Sequence, residues 1–210
     1  MFGFDRRRFG TYAQYVCWPQ DALLASKPAN LTDEEAVAIP YGGLLALHFL
    51  RRARVAAGHR LLIYGASGAV GTSAVQLATK YGARVTGVCG GSNVELVRSL
   101  GAEHVVDYLT EDFSTGHDRY DVFFDAVGKR KSASALGKAK LVLVPGGQRI
   151  SVDDGTPKLT LDDLELLADL AVSGDLRPVV DRVYPLEHIV EAHRYVSGGH
   201  KKGNVILTVD

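Results

Sequence analysis

The chain has little sulfur and no surplus of charge. Two cysteines, Cys17 and Cys89, and one methionine stand among 210 residues. Two cysteines cannot build a disulfide framework or a cysteine-rich zinc site. They imply a reduced, cytoplasmic setting. Lys and Arg number 24, Asp and Glu 24, so the formal net charge is zero. That balance points to no nucleic-acid surface and no membrane patch. The short cluster Arg6-Arg7-Arg8 reads as a solvated loop. No apolar run is long enough to span a bilayer, and the first residues lack the apolar core of a signal peptide.

Hydrophobic residues make up 46% of the chain, enough for a sizeable core in one domain, or one domain plus a fragment. The most informative stretch is Arg60 to Tyr81. Leu61-Leu62-Ile63-Tyr64 is a short apolar run and reads as a buried parallel strand. Gly65-Ala66-Ser67-Gly68-Ala69-Val70-Gly71 is a turn, and Val70, Ala74, Leu77, Ala78 and Tyr81 then fall at helical spacing. A glycine turn between strand and helix is a phosphate-binding context, because a helix N-terminus presents unpaired N–H groups and the positive end of the peptide dipole. Gly68 would let a pyrophosphate approach the backbone, and Gly71 would let the helix lie close on the strand. The first glycine of G-x-G-x-x-G is Ala66 here. The bland alternative is a tight turn with no ligand.

The rest of the chain alternates. Tyr12 to Trp18 is rich in aromatic and β-branched residues and predicts a strand; Leu23 to Ala25 predicts another. Thr32-Asp33-Glu34-Glu35 is a capping box, with Pro40 ending or kinking the helix it starts. Tyr41 to Arg52 reads as a helix. Further strands are expected at Arg84–Cys89, His104–Asp107, Asp121–Val127 and Gln148–Val152, with helices at Asn93–Leu100 and Lys131–Lys140 between them. Ser92 or Asn93 would cap the first of these helices. An acidic turn at Asp153, a helix from Leu161 to Ser173, an extended Val179–Tyr184, a helix from Pro185 to Ser197 and a strand at Asn204–Val209 complete the chain. Strands alternating with helices imply an α/β fold with a Rossmann-type, doubly wound parallel sheet, and ligands on such sheets sit beyond the carboxyl ends of the strands.

These pieces together resemble the zinc-independent quinone oxidoreductase branch of the medium-chain dehydrogenase/reductase superfamily. The matching segments are Phe9 to Tyr15, Ile39 to Leu44, Tyr64 to Gly71, Val97 to Ala102, Val106 to Tyr108, Phe124 to Gly128, Pro145 to Gly147, Tyr184 to Glu187, and Ala192-His193, in family order. Family members begin with a GroES-like catalytic domain, which this chain enters near its end, so it reads as a truncated or reduced member. The resemblance implies residues 42–180 as the dinucleotide-binding domain. Residues 1–41 with 181–210 would be a small β remnant of the catalytic domain with a closing helix and strand, residues 1–40 packing with Asn204–Val209. The family's sheet strand after Gln148–Val152 has no counterpart, and its cofactor-contacting helix threonine is Leu45 here.

Carried over by resemblance, Ser67, Gly68, Ala69, Val70 and Gly71 would hold the pyrophosphate. Ser92 and Asn93 would stand at the adenosine ribose, although helix capping explains them almost equally well. Tyr108 matches a tyrosine beside the adenosine phosphate, with plain packing as its alternative. Ala126, Val127 and Gly128 match the loop past the nicotinamide, with Asp125 holding that loop through backbone hydrogen bonds. No acid stands before Glu95 at the end of the second core strand, which favours NADPH over NADH by a small margin. Tyr41 is a candidate proton donor. The seven histidines are scattered, and His188 and His193 fall on different helix faces, so no zinc is expected. The implied activity is hydride transfer from NADPH to a small quinone or conjugated carbonyl, by a monomer or homodimer. A non-catalytic NADP(H)-binding remnant is the alternative. A third class is the α/β serine hydrolase, since Gly65 to Ala69 falls one residue short of the nucleophile elbow, and Asp125 and His193 follow in hydrolase order. Against it, position 69 is alanine and His193 falls inside a helix.

Overall fold

The computed structural model describes residues 2–3, 12–116, 118–199 and 201–209. Arg6-Arg7-Arg8 and Phe9 to Thr11 lie outside them. The elements run β1 (Phe2–Gly3), β2 (Leu24–Ala25), α1 (Asp33–Val37), α2 (Ile39–Arg52), β3 (Arg60–Tyr64), α3 (Ala69–Lys80), β4 (Arg84–Cys89), α4 (Val94–Ser99) and β5 (His104–Asp107). Then come β6 (Tyr120–Asp125), α5 (Ala133–Val142), β7 (Leu143–Ser151), α6 (Leu161–Val172), β8 (Val180–Pro185), α7 (Ile189–Ser197) and β9 (Asn204–Thr208).

Five strands form one sheet in the order β5-β4-β3-β6-β7, all parallel. The alternation of side chains along a strand divides the core between the two faces. Leu61 and Ile63 of β3 face one way and pack with Leu44 and Leu47 of α2, Leu77 of α3 and Leu164 of α6. Leu62 faces the other way, with Val88, Phe123 and the Ala135, Ala139 and Val142 side of α5. Both faces are covered, so the strands read as continuous apolar runs. This is the Rossmann-type architecture expected. Among the described residues β7 is an edge of the sheet, and the turn at Asp153 follows it directly, Ser151 N–H donating to Asp154 Oδ2 at 2.8 Å. No helix of the described residues is long and apolar enough to cross a membrane.

Local chemistry explains the helix starts. The capping box closes as anticipated: Thr32 Oγ1 accepts from Glu35 N–H at 3.2 Å, and Glu35 Oε2 accepts from Thr32 N–H at 3.0 Å. That helix stops at Val37, capped by Ala38, two residues before Pro40, as expected. Pro40 itself stands in the first turn of α2, where a missing N–H loses nothing, and Ala38 serves as the junction. Tyr12 to Trp18 is not a strand: it pairs with no strand of the described residues, and Tyr15 is 91% exposed. Its composition suits a pleated, half-buried surface, and without a partner strand that preference builds nothing.

The two chain ends do meet, and the final strand does not extend the central sheet, but among the described residues it pairs with neither N-terminal strand. β9 runs parallel to β8 in a separate two-stranded sheet, while β1 and β2 form an antiparallel pair of their own. The N-terminal segment meets these strands through α1, and Asn204 Nδ2 donates to Ala38 O at 3.1 Å.

Candidate functional site

The carboxyl ends of β3, β4 and β6 converge on one surface, and three turns meet there. The first is the glycine turn. Gly65 has φ +82°, a left-handed backbone that favours glycine, and its N–H donates to Val88 O at 3.0 Å. Gly68 N–H donates to Gly65 O at 3.1 Å, which closes the turn. Gly71 is wedged: a Cβ there would stand 2.1 Å from Gly65 O and 2.7 Å from Ala66 Cα. Gly68 is open, its would-be Cβ meeting only Gly65 O at 3.5 Å. The first amides of α3, at Ala69, Val70 and Gly71, have no intrahelical acceptor. Its first turn carries no acid, and Gly68 offers no side-chain cap. The positive end of this helix therefore faces the surface without an internal counter-charge.

The second turn follows β4. Gly91–Asn93 forms a short 3-10 helix, closed by Asn93 N–H donating to Gly90 O at 2.9 Å. Asn93 does not cap α4 through its side chain; Nδ2 instead donates to Ser67 Oγ at 3.4 Å. Ser92 is exposed. Tyr108 is half exposed, with its hydroxyl 3.3 Å from where a Gly90 Cβ would stand. Thus Ser67, Asn93, Gly90 and Tyr108 line one edge of the surface.

The third turn follows β6. Asp125 is fully buried and accepts four hydrogen bonds. Oδ1 takes Val127 N–H at 3.1 Å and Gly128 N–H at 3.2 Å, while Oδ2 takes the Ser132 and Ser151 hydroxyls, each at 2.7 Å. It holds the loop and is not presented to a substrate. Val127 packs on the first turn, its Cγ2 2.3 Å from the Cβ that Gly65 lacks, and remains 40% exposed on the other side. Tyr41 lies half exposed in the first turn of α2, next to Gly42, which has no room for a Cβ because Ala69 O would be 2.2 Å away. Leu45 points into the core.

Three features were not anticipated from the sequence. Gly42 is needed for the close approach of α2 to the start of α3. Asp107, from β5, brings Oδ2 within 2.5 Å of the Cβ position of Gly91, so a carboxylate does reach the end of β4, from the neighbouring strand. Its other oxygen accepts from Leu109 N–H at 3.0 Å. The third is the segment before β9, where Gly203 N–H donates to Ser67 O at 2.7 Å. Only Asp107 had a sequence signal, an acid closing the third strand.

The hydrolase constellation is not assembled. Ser67 Oγ accepts from Asn93, Asp125 is enclosed by its loop and two serines, and the His193 ring stands edge-on to Tyr12 with centroids 6.3 Å apart. Nor do the described residues contain a group of three or more His, Cys, Asp and Glu able to hold a metal ion.

A zinc-binding dehydrogenase family profile matches residues 100–207. The chain belongs to this family, in the medium-chain dehydrogenase/reductase superfamily. The NADPH-dependent alkenal/one oxidoreductase of Arabidopsis thaliana chloroplasts is 31% identical over 213 residues, covering 96% of this chain and 53% of that protein. A chloroplast envelope quinone oxidoreductase homolog of the same plant is 29% identical over 218 residues, covering 89% of this chain and 65% of that protein. The quinone oxidoreductase of Coxiella burnetii superimposes with a TM-score of 0.82 at 26% identity, covering 95% of this chain and 68% of that one. The chain spans about half the length of the alkenal/one oxidoreductase, at 53%. The quinone and alkenal oxidoreductases are thus its relatives within the superfamily, as the motifs implied.

Proposed function

We propose that this chain binds NADPH across the three turns and supports hydride transfer to a small quinone or conjugated carbonyl. One observation carries the reading: an acid-free helix N-terminus stands over a turn whose Gly71 and Gly65 leave no room for a side chain, with the Val127 loop packed on it. Ser67, Gly68, Ala69, Val70 and Gly71 take the pyrophosphate in this reading. Ser92, Asn93 and Tyr108 take the adenosine end, and Ala126, Val127 and Gly128 flank the nicotinamide. Bound NADPH supplies the hydride. The protein would orient it: Asp125 fixes the loop, and Tyr41, in the first turn of α2, is the candidate proton donor to the acceptor oxygen. The proposed activity is zinc-independent; among the described residues no three His, Cys, Asp or Glu gather as ligands.

NADPH is preferred to NADH by a small margin. The end of β4 has no acid of its own to repel a 2′-phosphate, but Asp107 narrows the difference from the side. Residues 42–180 form the dinucleotide-binding unit in this reading, with 1–41 and 181–210 as a second, small unit. Its proposed partner is a small-molecule quinone or carbonyl acceptor, taken by a monomer or homodimer. The cysteines, exposed Cys17 and buried Cys89, form no disulfide and suit a reducing, cytoplasmic setting.

A second reading, a non-catalytic NADP(H)-binding remnant, is favoured by the exposure of Tyr41 and Val127 at the surface where acceptor and nicotinamide would meet. A binding titration beside NADPH oxidation with a quinone panel separates the two. Turnover that survives EDTA supports the enzyme, and binding without oxidation of any acceptor supports the remnant. Loss of activity with EDTA, restored by zinc, refutes the zinc-independent assignment. Ser92→Asp should penalise NADPH about tenfold more than NADH, through one added charge beside the 2′-phosphate; equal effects on both would refute the cofactor preference.

A further inference from the structure

A hollow of about 600 Å³ lies between the last turns of α2 and the start of α6, and none of its lining residues belongs to the three turns described above. His48, Arg51 and Arg52 fall at i, i+3 and i+4, so one face of α2 presents three basic side chains to it. Lys158 joins them from the segment before α6, and the His48 ring is hydrogen-bonded to the Lys158 backbone. The acids do not balance this cluster. Asp163 is paired with Arg51. Arg52 donates to the backbone oxygen of Asp154, a contact that uses one of its five N–H donors. The Asp154 carboxylate itself is engaged by Lys129 Nζ at 2.6 Å and Ser151 N–H at 2.8 Å. Neither Arg52 nor exposed Lys158 makes an ion pair among the described residues. Only exposed Asp162 is left to face them. Burial holds the His48 imidazole below its ordinary range; the Lys158 backbone opposes this, Arg52 adds to it, and Asp163 opposes it.

We propose that this hollow binds a small organic dianion, a phosphomonoester or a dicarboxylate, through Arg52, Lys158 and His48. Its volume suits a small organic molecule, and a bare ion would leave most of it to water. Basic side chains that converge in a concavity repel one another and raise the local concentration of anions. A guanidinium fork takes carboxylate or phosphoryl oxygens in pairs, by charge-assisted hydrogen bonds of the stronger kind. A dianion beside His48 favours the charged imidazole, which turns the ring into a further donor as the ligand arrives. No residue of the glycine turn takes part, so the hollow can be filled whether or not a dinucleotide is bound.

The test is calorimetric titration of glycerol 3-phosphate and of malate, with uncharged glycerol as control, into wild type, Lys158→Met, Arg52→Lys and His48→Gln. At least one dianion should bind wild type with Kd of about 1 mM or below, and glycerol should not bind. Binding of glycerol 3-phosphate alone marks a phosphoryl site, and of malate alone a dicarboxylate site; either supports the proposal. Lys158→Met should weaken the bound dianion about fivefold or more, while the Tm stays that of wild type, because this side chain is exposed and unpaired. Arg52→Lys keeps the charge without the fork and should weaken it as well. Wild-type affinity should rise about threefold or more as pH falls from about 8 to about 6, and His48→Gln should remove that rise. NADPH affinity should stay within about twofold in Lys158→Met. A wild type that takes up neither dianion at about 10 mM overturns the proposal. So does binding that Lys158→Met and Arg52→Lys leave unchanged, or binding with no pH dependence traceable to His48. An equal loss of NADPH affinity in Lys158→Met would place the lysine at the cofactor surface and overturn it too.

Discussion

Gly68 and Gly71 stand three residues apart in one turn, yet alanine at each should fail in a different way. At Gly71 the new Cβ would lie 2.1 Å from Gly65 O and 2.7 Å from Ala66 Cα. Both obstacles are backbone, so β3 and α3 must move apart. Overpacking of this kind costs about 1–3 kcal/mol, here at the upper end, and alanine's better helix propensity returns about 1 kcal/mol. A net loss of about 2 kcal/mol lowers Tm by roughly 4–8 °C in a chain of this size. Gly68 differs. Its backbone, at φ −78° and ψ 176°, is one any residue adopts, and its Cβ would meet a single atom at an ordinary 3.5 Å. Exchanging a glycine N-cap for alanine costs up to about 1 kcal/mol, offset by about 0.4–1 kcal/mol of lost freedom in the unfolded chain. Tm should therefore move by less than about 3 °C. Yet the methyl would stand where the pyrophosphate is proposed to approach the α3 amides, and NADPH affinity should fall about 10–100-fold, or about 1.4–2.8 kcal/mol. Thermal melts and fluorescence titration with NADPH measure both quantities. A Gly68→Ala protein that melts and binds like wild type would refute the placement of the pyrophosphate. A Gly71→Ala protein with the wild-type Tm would refute the close packing of helix on strand.

Two further outcomes follow from buried groups. Asp125→Ala leaves two amides and two hydroxyls without their acceptor, and should cost about 3–5 kcal/mol, seen as a Tm drop of roughly 10 °C; a change under about 2 °C would mean that water replaces the carboxylate. Burial pushes the Cys89 thiol up from 9.0 to about 11. The unfolded chain then loses this proton first, so stability is full below pH 9 and falls as pH rises towards 11. Cys89→Ala should flatten the fall in urea midpoint over that range, leaving the part due to Tyr64 and Tyr120, whose burial raises them as well. An unchanged slope would remove Cys89 from the account.

The central sheet was legible because its information is local. Leu61-Leu62-Ile63 is apolar on both strand faces, and β3 lies buried on both. The His104–Asp107 strand begins and ends where its pattern does. Thr32 and Glu35 announce α1 within four residues. What was not legible depends on distant partners. Tyr12 to Trp18 carries strand-forming residues, but only a neighbouring strand could use them. Asn93 looks like a cap in sequence; in the fold Ser67, 26 positions away, is near enough to take its amide. Asp107 reaches the end of β4 only because β5 pairs there, in the register Cys89 to Asp107. An acid test applied to one strand end in sequence misses the acid of the adjacent strand.

The same division between local and distant information separates binding from catalysis. The turn proposed to bind phosphate is built within seven residues, and its geometry is set by glycines packed on neighbouring backbone. In the proposed reading the nicotinamide end is assembled from Val127, whose N–H is held by Asp125, and Tyr41 in the first turn of α2, which are far apart in sequence. Half-exposed Tyr41 and the exposed face of Val127 leave that end open to water. Hydride transfer depends on orientation and on excluding water, whereas diphosphate affinity depends mainly on the amides and charges already in place. On the proposed reading this arrangement favours binding over turnover. In a quinone-panel assay the expected result is saturation by NADPH at low concentration with a small kcat. A fast kcat with weak NADPH saturation would contradict this assignment of roles.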